Sequence, residues 1–329
     1  RDRAFTVDLM QRAESSGYHA LVLTVDTPLF GVHDRDTRRQ LTLPDHLTLA
    51  NLDKHPTAEP GAPLFHYTGN NPYLDPSLDW DVLAWLRSRT RLPIILKGIL
   101  RGDDAEMAVR RGAAAVVVYC DGGKSHALLQ EQRLKTIGAL MDKGVGFACL
   151  HYAVEPTKEN GQKEFLDWMG GAFEIHWSVN PTWIAEFKAI PEHPVTRGVK
   201  PFSIRDEWYF HMRFRDGMKG VTPLLSAVPT EGTIKRNDGP HENNPTVRDE
   251  VERGLAQHMA WVAERPNGGR GLGFTGGHYH ENWGDENFRK LVLNGILWIA
   301  KMEVPPDGVK SAVTPEQLKE NLDPKQPRR

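Results

Sequence analysis

The chain has 329 residues, of which 39% are hydrophobic and 26% charged, enough to bury one large core or two medium ones. The formal net charge is −2 and the pI is about 6.8, so electrostatics give no reason to expect nucleic acid or an anionic membrane surface as a partner. No apolar run approaches the roughly 20 residues that are needed to span a bilayer.

The two cysteines of the chain are Cys120 and Cys149. This number does not imply a disulfide framework, and it favours a reducing compartment, by default the cytoplasm. The first residue is Arg1 rather than methionine, which indicates a fragment or a processed product.

The first 118 residues alternate amphipathic stretches with apolar runs, which is the pattern of β/α units. Periodicity predicts helices at 6–16, 79–90 and 102–112, and strands at 20–26, 93–98 and 113–119. The first of these strands, ALVLTVD, is almost continuously apolar, as is typical of a strand buried on both faces of a parallel sheet. The segment 32–78 is long, polar and Pro-rich, and it is predicted to be a loop.

The same alternation continues in the second half of the chain. It predicts helices at 128–144 and 285–301 and strands at 145–151, 223–230 and 271–277. After Val304 the sequence becomes rich in proline and lysine and ends in PKQPRR, which indicates a tail. The class is therefore α/β, and ligands are expected at the carboxyl ends of parallel strands.

Two motifs in the first half occur in order, TVDTP at 24–28 and LPIILKGIL at 92–100. They resemble the FMN-dependent α-hydroxy-acid oxidase and dehydrogenase family, whose fold is a (β/α)8 barrel. The resemblance implies that Thr24 and Lys97 are the positions that contact the flavin. A cation such as Lys97 at a strand's carboxyl end can stabilise negative charge on a reduced flavin ring.

The chain departs from that family after the strand AAVVV. Where the family has Ser-Asn-His-Gly-Gly-Arg, with the histidine that removes the substrate proton, residues 119–124 read YCDGGK. The later strands that carry the phosphate-binding loop do not follow, and without that anchor FMN loses much of its binding energy. We therefore expect no oxidase activity, and FMN as a cofactor only if this segment is functional.

Six ordered blocks in the second half resemble the ThuA-like family, which is associated with the use of trehalose and related sugars. The resemblance implies a flavodoxin-like parallel sheet, similar to class I glutamine amidotransferases, preceded here by a partial (β/α)8-barrel-like segment. It also implies a small-molecule carbohydrate as partner, with no cofactor expected for this part. The blocks are YCDGGKSH, GVGFACLHYAVE, WMGGAFEIHWSVNP, HPVTRGVKPFSIRDEWYFHMRF, RPNGGRGLGFTGGHYHENWGD and NFRKLVLNGILWIA.

Polar residues at predicted strand ends are the candidate site. His151 follows the apolar run VGFACL, so it is expected at the carboxyl edge of a strand, where an amidotransferase-like fold places its nucleophile. Cys149 lies two residues earlier and is predicted to be a buried thiol, because free cysteine commonly packs as a small hydrophobe. A nucleophilic Cys149 is the alternative, but no paired base is evident nearby in the sequence.

The stretch GGHYHEN places His278 and His280 on the same side if the backbone is extended. With His151, His176 and Glu207 they form the predicted catalytic site, because these side chains supply the donors and acceptors that polyol recognition or acid/base chemistry requires. The same residue types also bind Zn²⁺ and related ions, so a metal site is one alternative and simple hydrogen bonding of loops is another.

The predicted organisation is an oxidase-like segment at 1–118, a ThuA-like domain at 119–308 and a tail at 309–329. The switch between the two is expected between Gly112 and Tyr119, which leaves Asp121 in the Asp-Gly-Gly loop of the second domain. The β/α units of 17–118 either complete a hybrid parallel sheet or remain an incomplete piece. Three functional hypotheses follow: a carbohydrate-binding or carbohydrate-processing ThuA-like domain, an FMN-dependent oxidoreductase, and a nonfunctional fusion.

Overall fold

A computed structural model describes residues 3–18, 20–26, 75, 77–99, 101–130 and 132–319 of the chain. The protein divides into two units, residues 1–105 and 106–329. Most of the predicted loop 32–78 lies outside the described residues, as does the end of the predicted tail, 320–329. Within the described part of the chain, every helix is too short or too polar to cross a membrane.

The first unit contains helix α1 (Arg3–Ser15), strand β1 (Leu21–Thr24), helix α2 (Asp81–Arg87) and strand β2 (Ile94–Lys97). β1 and β2 pair in parallel, with Thr24 opposite Lys97. Met10, Val82, Leu83 and Leu86 form a small buried cluster between these elements. The prediction that β1 is buried on both faces is wrong, because alternate residues are exposed and Val22 keeps 59% of its surface open to solvent.

Helix α3 (Gly102–Arg110) crosses the boundary between the units, and strand β3 (Ala115–Val118) begins the sheet of the second unit. The order of this five-stranded sheet is β3, β4 (Gly146–Leu150), β11 (Arg270–Phe274), β10 (Gln257–Glu264) and β9 (Val221–Ala227). β3, β4 and β11 are parallel, whereas β10 is antiparallel to both β11 and β9. The fold is α/β as predicted, but the sheet is mixed rather than wholly parallel.

Short elements cover this sheet and its edges. The helices are α4 (Arg133–Met141), α5 (Gln162–Met169), α6 (Pro245–Glu252) and α7 (Glu286–Ile299). A hairpin pairs β6 (Thr182–Phe187) with β7 (Phe202–Glu207), and β5 (Gly171–Ala172) pairs with β8 (Arg213–Phe214). The hairpin matters for function because β7 ends at Glu207.

Large aromatic side chains fill the core of the second unit. The fully buried indole of Trp208 lies 5.6 Å from the ring of Phe274 and 5.9 Å from that of Phe288, while the two phenyl rings are 4.9 Å apart. Edge-to-face pairs of this kind add to the energy of buried apolar area. They fix the backbone of β11 and of the segment after β7, two of the three places from which the site residues come.

The segment after α7 also packs on this unit where it is described. Val309 is buried, and its backbone N–H donates to the side-chain carbonyl of Asn294 at 2.8 Å. The first residues of the predicted tail are therefore held by a buried hydrogen bond.

Candidate functional site

The carboxyl end of β4 turns sharply at His151. This residue opens a short 3₁₀ turn with φ of 51°, the left-handed region in which a residue with a β-carbon is strained. Such strain persists only where the surrounding structure holds it, and it concentrates at functional positions. His151 is held by a hydrogen bond between its Nδ1 and the carbonyl of Thr275, at 2.9 Å. Because Nδ1–H donates to a carbonyl, Nε2 carries the lone pair.

Three side chains converge on that lone pair. The Nε2 of His151 lies 3.3 Å from the Nδ1 of His278 and 3.6 Å from the Oε2 of Glu207, while Nδ1 of His278 lies 3.0 Å from the same carboxylate oxygen. The phenol of Tyr209 comes within 3.5 Å of the His151 Nε2. We call His151, Glu207 and His278 the triad; they come from the ends of β4, β7 and β11.

A buried carboxylate aligns two of these strand ends. Asp206 has 0% of its surface exposed and accepts three backbone N–H groups, from Glu207 at 2.8 Å, Gly277 at 2.7 Å and His278 at 3.1 Å. Burying a charge is costly unless hydrogen bonds replace its hydration, and these three donors do so. Asp206 thereby fixes both Glu207 and His278 through their backbones.

The triad lies in an open pocket of about 630 Å³, a size typical of small-molecule sites. Tyr119 spans one side and donates its hydroxyl to the carbonyl of Gly277 at 2.6 Å. The pocket is lined by Tyr119, Cys120, Asp121, His151, Tyr152, Asn180, Glu207, Tyr209, Arg236, His241, Glu242, Gly277 and His278. Aromatic side chains and both acidic and basic side chains therefore face one cavity.

Burial shifts the protonation of the innermost groups. It lowers the pKa of His151, which favours the neutral imidazole, and it raises the pKa of the Glu207 carboxyl. Burial also raises the pKa of Tyr209 far above its ordinary value, so the phenol keeps its proton and hydrogen-bonds Glu207. These groups can donate to and accept from ligand hydroxyls, and their atoms are also of the types that hold a metal ion.

A second carboxylate and imidazole pair flanks the pocket. The Nε2 of His241 lies 2.8 Å from Oε1 of Glu155, a side chain with only 2% of its surface exposed. This hydrogen bond raises the pKa of His241, and the ring of Phe173 stacks on the imidazole at 5.3 Å. The second oxygen of Glu155 is buried and has no hydrogen-bond partner among the described residues.

The segment that contains the pocket matches a known protein family. Residues 108–299, more than half of the chain, match the family model described as ThuA, trehalose utilisation. The chain belongs to the ThuA family. All of the residues that line the pocket lie within this match.

Residues 1–131 match a second family model, that of FMN-dependent dehydrogenases, so both predicted resemblances are confirmed. The two matches overlap at 108–131, the region that contains the predicted switch at 112–119. The chain is 47% identical over 131 residues to an L-lactate oxidase of Nostoc sp., which covers 38% of this chain and 35% of the oxidase. It is 40% identical over 129 residues to the 2-hydroxyacid oxidase 1 of Mus musculus, which covers 38% of this chain and 35% of that oxidase. The chain thus spans about a third of the length of these curated relatives.

Solved structures also resemble parts of the chain. A ThuA-like protein from Bacteroides uniformis aligns at a TM-score of 0.45 and 14% identity, over 67% of this chain and 82% of its own. A mandelate oxidase aligns at a TM-score of 0.34 and 32% identity, over 45% of this chain and 43% of its own.

The ThuA-family pocket contains three of the five predicted site residues. His151, Glu207 and His278 come together, whereas His176 and His280 are exposed and do not line the pocket. His280 is displaced because the chain does not stay extended after His278: it turns into a 3₁₀ helix that begins at His280. His176 has a left-handed backbone, and its N–H donates to the carbonyl of Pro240 at 2.7 Å.

The prediction that Cys149 is a buried thiol is confirmed. Cys149 is fully buried within β4, and this burial raises the pKa of its thiol well above the ordinary value. Cys120 lines the pocket, but burial raises the pKa of its thiol as well. Neither sulfur has the lowered pKa of an activated nucleophile.

Sequence reasoning missed several pocket residues. Asn180, Arg236 and His241 line the pocket but were not predicted. Glu155, which hydrogen-bonds His241 and ends the block GVGFACLHYAVE, was not predicted either. Arg236 and His241 lie in an irregular segment between β9 and α6 whose placement depends on tertiary contacts. Arg236 donates to the side chain of Asn180 at 3.1 Å, and Asn180 in turn donates to Glu207 at 3.2 Å.

The flavin positions of the first unit do not assemble a comparable site among the described residues. Lys97 keeps 61% of its side chain exposed, and its ammonium lies 3.7 Å from the carboxylate of Asp26, which competes for its charge. The segment after β3 belongs instead to the ThuA-family pocket. Thr24 and Lys97, the flavin positions that the resemblance implies, lie opposite each other in the register of β1 and β2.

Proposed function

We propose that this chain binds or acts on a small-molecule carbohydrate in the triad pocket. The observation that carries the proposal is the density of oriented hydrogen-bonding side chains in one open cavity of the region that matches the trehalose utilisation family. His151, Glu207 and His278 are its proposed contact residues, while His176 and His280 lie outside the cavity.

The chemistry of the lining suits a polyhydroxylated ligand. Each sugar hydroxyl donates one hydrogen bond and accepts others, so a sugar site needs both kinds of partner. Glu207 and Asp121 accept, while Arg236 and the protonated Tyr209 donate. The ring of Tyr119, whose side chain is half exposed on the pocket wall, offers an apolar face against which the C–H face of a sugar can pack.

We infer that β3, β4 and β11 are the parallel strands of a flavodoxin-like sheet of the class I glutamine amidotransferase type. The support is that these strands are parallel and that their carboxyl ends carry the pocket residues, as ligand sites do in open α/β sheets. We infer equally that the part of residues 1–118 that precedes β3 is a partial (β/α)8-barrel-like segment, because β1 and β2 are parallel and each is preceded by a helix.

Carbohydrate binding is tested by calorimetry and thermal unfolding with trehalose, glucose and related sugars and polyols. A ligand at about 100 times its Kd stabilises the folded state by about 2.7 kcal/mol, which raises the unfolding temperature measurably. Arg236→Ala and Tyr209→Phe should weaken binding about tenfold, because each removes a hydrogen bond from a pocket side chain.

The exposed His176→Ala variant is the matched control, and its affinity should equal that of the wild type. Absence of binding for every sugar in the panel would sink the proposal. Equal affinity in Arg236→Ala, Tyr209→Phe and the wild type would place any sugar site outside this pocket.

A further inference from the structure

The spacing of the triad atoms is that of a metal coordination sphere. The three pairwise distances are 3.0, 3.3 and 3.6 Å. A triangle with these sides has its centre about 1.9 Å from each corner, so an ion slightly above the plane reaches all three atoms at the roughly 2.0–2.2 Å of Zn–N and Zn–O bonds. The ligand set would require little rearrangement.

Two of the three atoms are also held in a suitable chemical form by neighbouring groups. The bond from Nδ1 of His151 to the Thr275 carbonyl leaves the Nε2 lone pair toward the other two atoms. The Oε1 of Glu207 is held by Asn180, which leaves Oε2 for the centre. A carbonyl behind a histidine and an amide behind a carboxylate are the supporting contacts that orient ligands in metal sites.

We propose that His151, Glu207 and His278 bind one divalent first-row transition ion, with Zn²⁺ as the favoured cation. Two imidazoles and one carboxylate suit zinc and its neighbours, whereas Mg²⁺ and Ca²⁺ prefer oxygen ligands alone. Three protein ligands leave at least one coordination position for water or for a ligand oxygen. The pocket of about 630 Å³ that the triad lines provides room for such an oxygen.

The variants that test the metal site, and their control, are chosen by how exposed each side chain is. His278 has 47% of its side chain exposed, so His278→Ala should fold, and Glu207→Gln preserves shape while removing the charge. His280 lies two residues further along the same loop, is exposed and is outside the triad, so His280→Ala is the control for adventitious binding by surface histidines. Asn180→Ala tests the supporting contact.

The test is a titration of the full chain, without an affinity tag, with Zn²⁺ after removal of metal by a chelator. We expect one equivalent of bound zinc, a loss of affinity of more than about 100-fold in His278→Ala and Glu207→Gln, and about 10- to 100-fold in Asn180→Ala. His280→Ala should bind like the wild type. Co²⁺ in place of zinc should give visible bands that change in His278→Ala, and circular dichroism confirms that each variant is folded.

The proposal is overturned if the wild type binds no stoichiometric zinc, or if folded His278→Ala and Glu207→Gln bind it as tightly as the wild type. An equal loss in His280→Ala would also overturn it, because it would assign the ion to surface histidines. Metal content is measured without a sugar, so zinc binding without carbohydrate binding would support this inference and contradict the proposed function.

Discussion

Both units have polar residues at the ends of parallel strands, but those of the first unit are exposed to solvent, whereas His151 in the second is buried. In the first unit, Thr24 and Lys97 end a two-stranded pair, and the lysine is mostly solvated beside Asp26. In the second unit, His151 ends a buried strand and is held by a carbonyl of a neighbouring strand end. A residue at the end of a strand therefore forms part of a site when neighbouring elements fix its side-chain conformation and exclude water from it.

The largest expected difference between the units is in their cores. Phe274→Ala should lower the free energy of unfolding by about 3–5 kcal/mol, because the fully buried ring packs between Trp208 and Phe288. Leu83→Ala in the first unit should lower the free energy of unfolding by only about 2 kcal/mol, because Leu83 packs in a small cluster and loses few contacts with other buried side chains. Chemical denaturation followed by fluorescence measures both. A larger cost for Leu83→Ala than for Phe274→Ala would reverse the comparison.

The next effect concerns the buried carboxylate that aligns the triad. Asp206→Ala should destabilise the protein by roughly 2–4 kcal/mol, because it leaves three backbone N–H groups without their acceptor. Asp206→Asn should cost less, since its remaining oxygen can still accept from Glu207 and His278. Denaturant titration of both variants is the measurement. Equal stability of Asp206→Ala and the wild type would show that Asp206 does not hold the two strand ends.

A smaller, pH-dependent effect is expected from His241. Its pKa is raised by the hydrogen bond to Glu155 and further by Glu207, and is lowered by Arg236. A raised folded-state pKa means that this group stabilises the protein fully below its unfolded value of about 6.5, and that the contribution disappears as the pH rises through the folded value. Phe173 packs on the same ring and is not titratable.

The measurement compares the unfolding free energy of the wild type with that of His241→Gln between pH 5 and pH 9, roughly the span over which histidine changes charge. The advantage of the wild type should shrink as the pH rises. A constant difference, or one that grows with pH, would contradict the ion pair.

Local pattern was sufficient for the elements that carry their own periodicity. Helix α7 and strands β4 and β11 are confirmed with shorter bounds, and helix α1 is confirmed with an earlier start and end, because their apolar spacing is set by the face that each buries. β10 was missed although HMAWVA precedes PNGG, a turn signal that joins it to β11 in an antiparallel hairpin. The mixed sheet follows from that hairpin.

The site was predictable only where a residue directly follows a strong strand. His151 directly follows β4, and His278 directly follows the strand predicted at 271–277, although β11 itself ends at Phe274. Glu207 ends β7, a strand that the sequence analysis did not predict. His280 was placed in the site by assuming an extended backbone, but the chain turns after Tyr279. His241 and Glu155 are 86 positions apart, and nothing in local pattern encodes the 2.8 Å between their side chains.

The smallest expected effect returns to the flavin positions of the first unit. Lys97→Ala should change the unfolding free energy by less than about 1 kcal/mol, because its ion pair with Asp26 is long and the ammonium is solvated. Neither the wild type nor this variant should retain FMN after gel filtration, as judged by absorbance near about 450 nm, the signature of a flavin cofactor. Retention by the wild type and its loss in Lys97→Ala would show that an oxidase-like strand end can hold flavin without the rest of the barrel. The contrast between the two units would then lie in which ligand each binds rather than in whether its strand ends are organised.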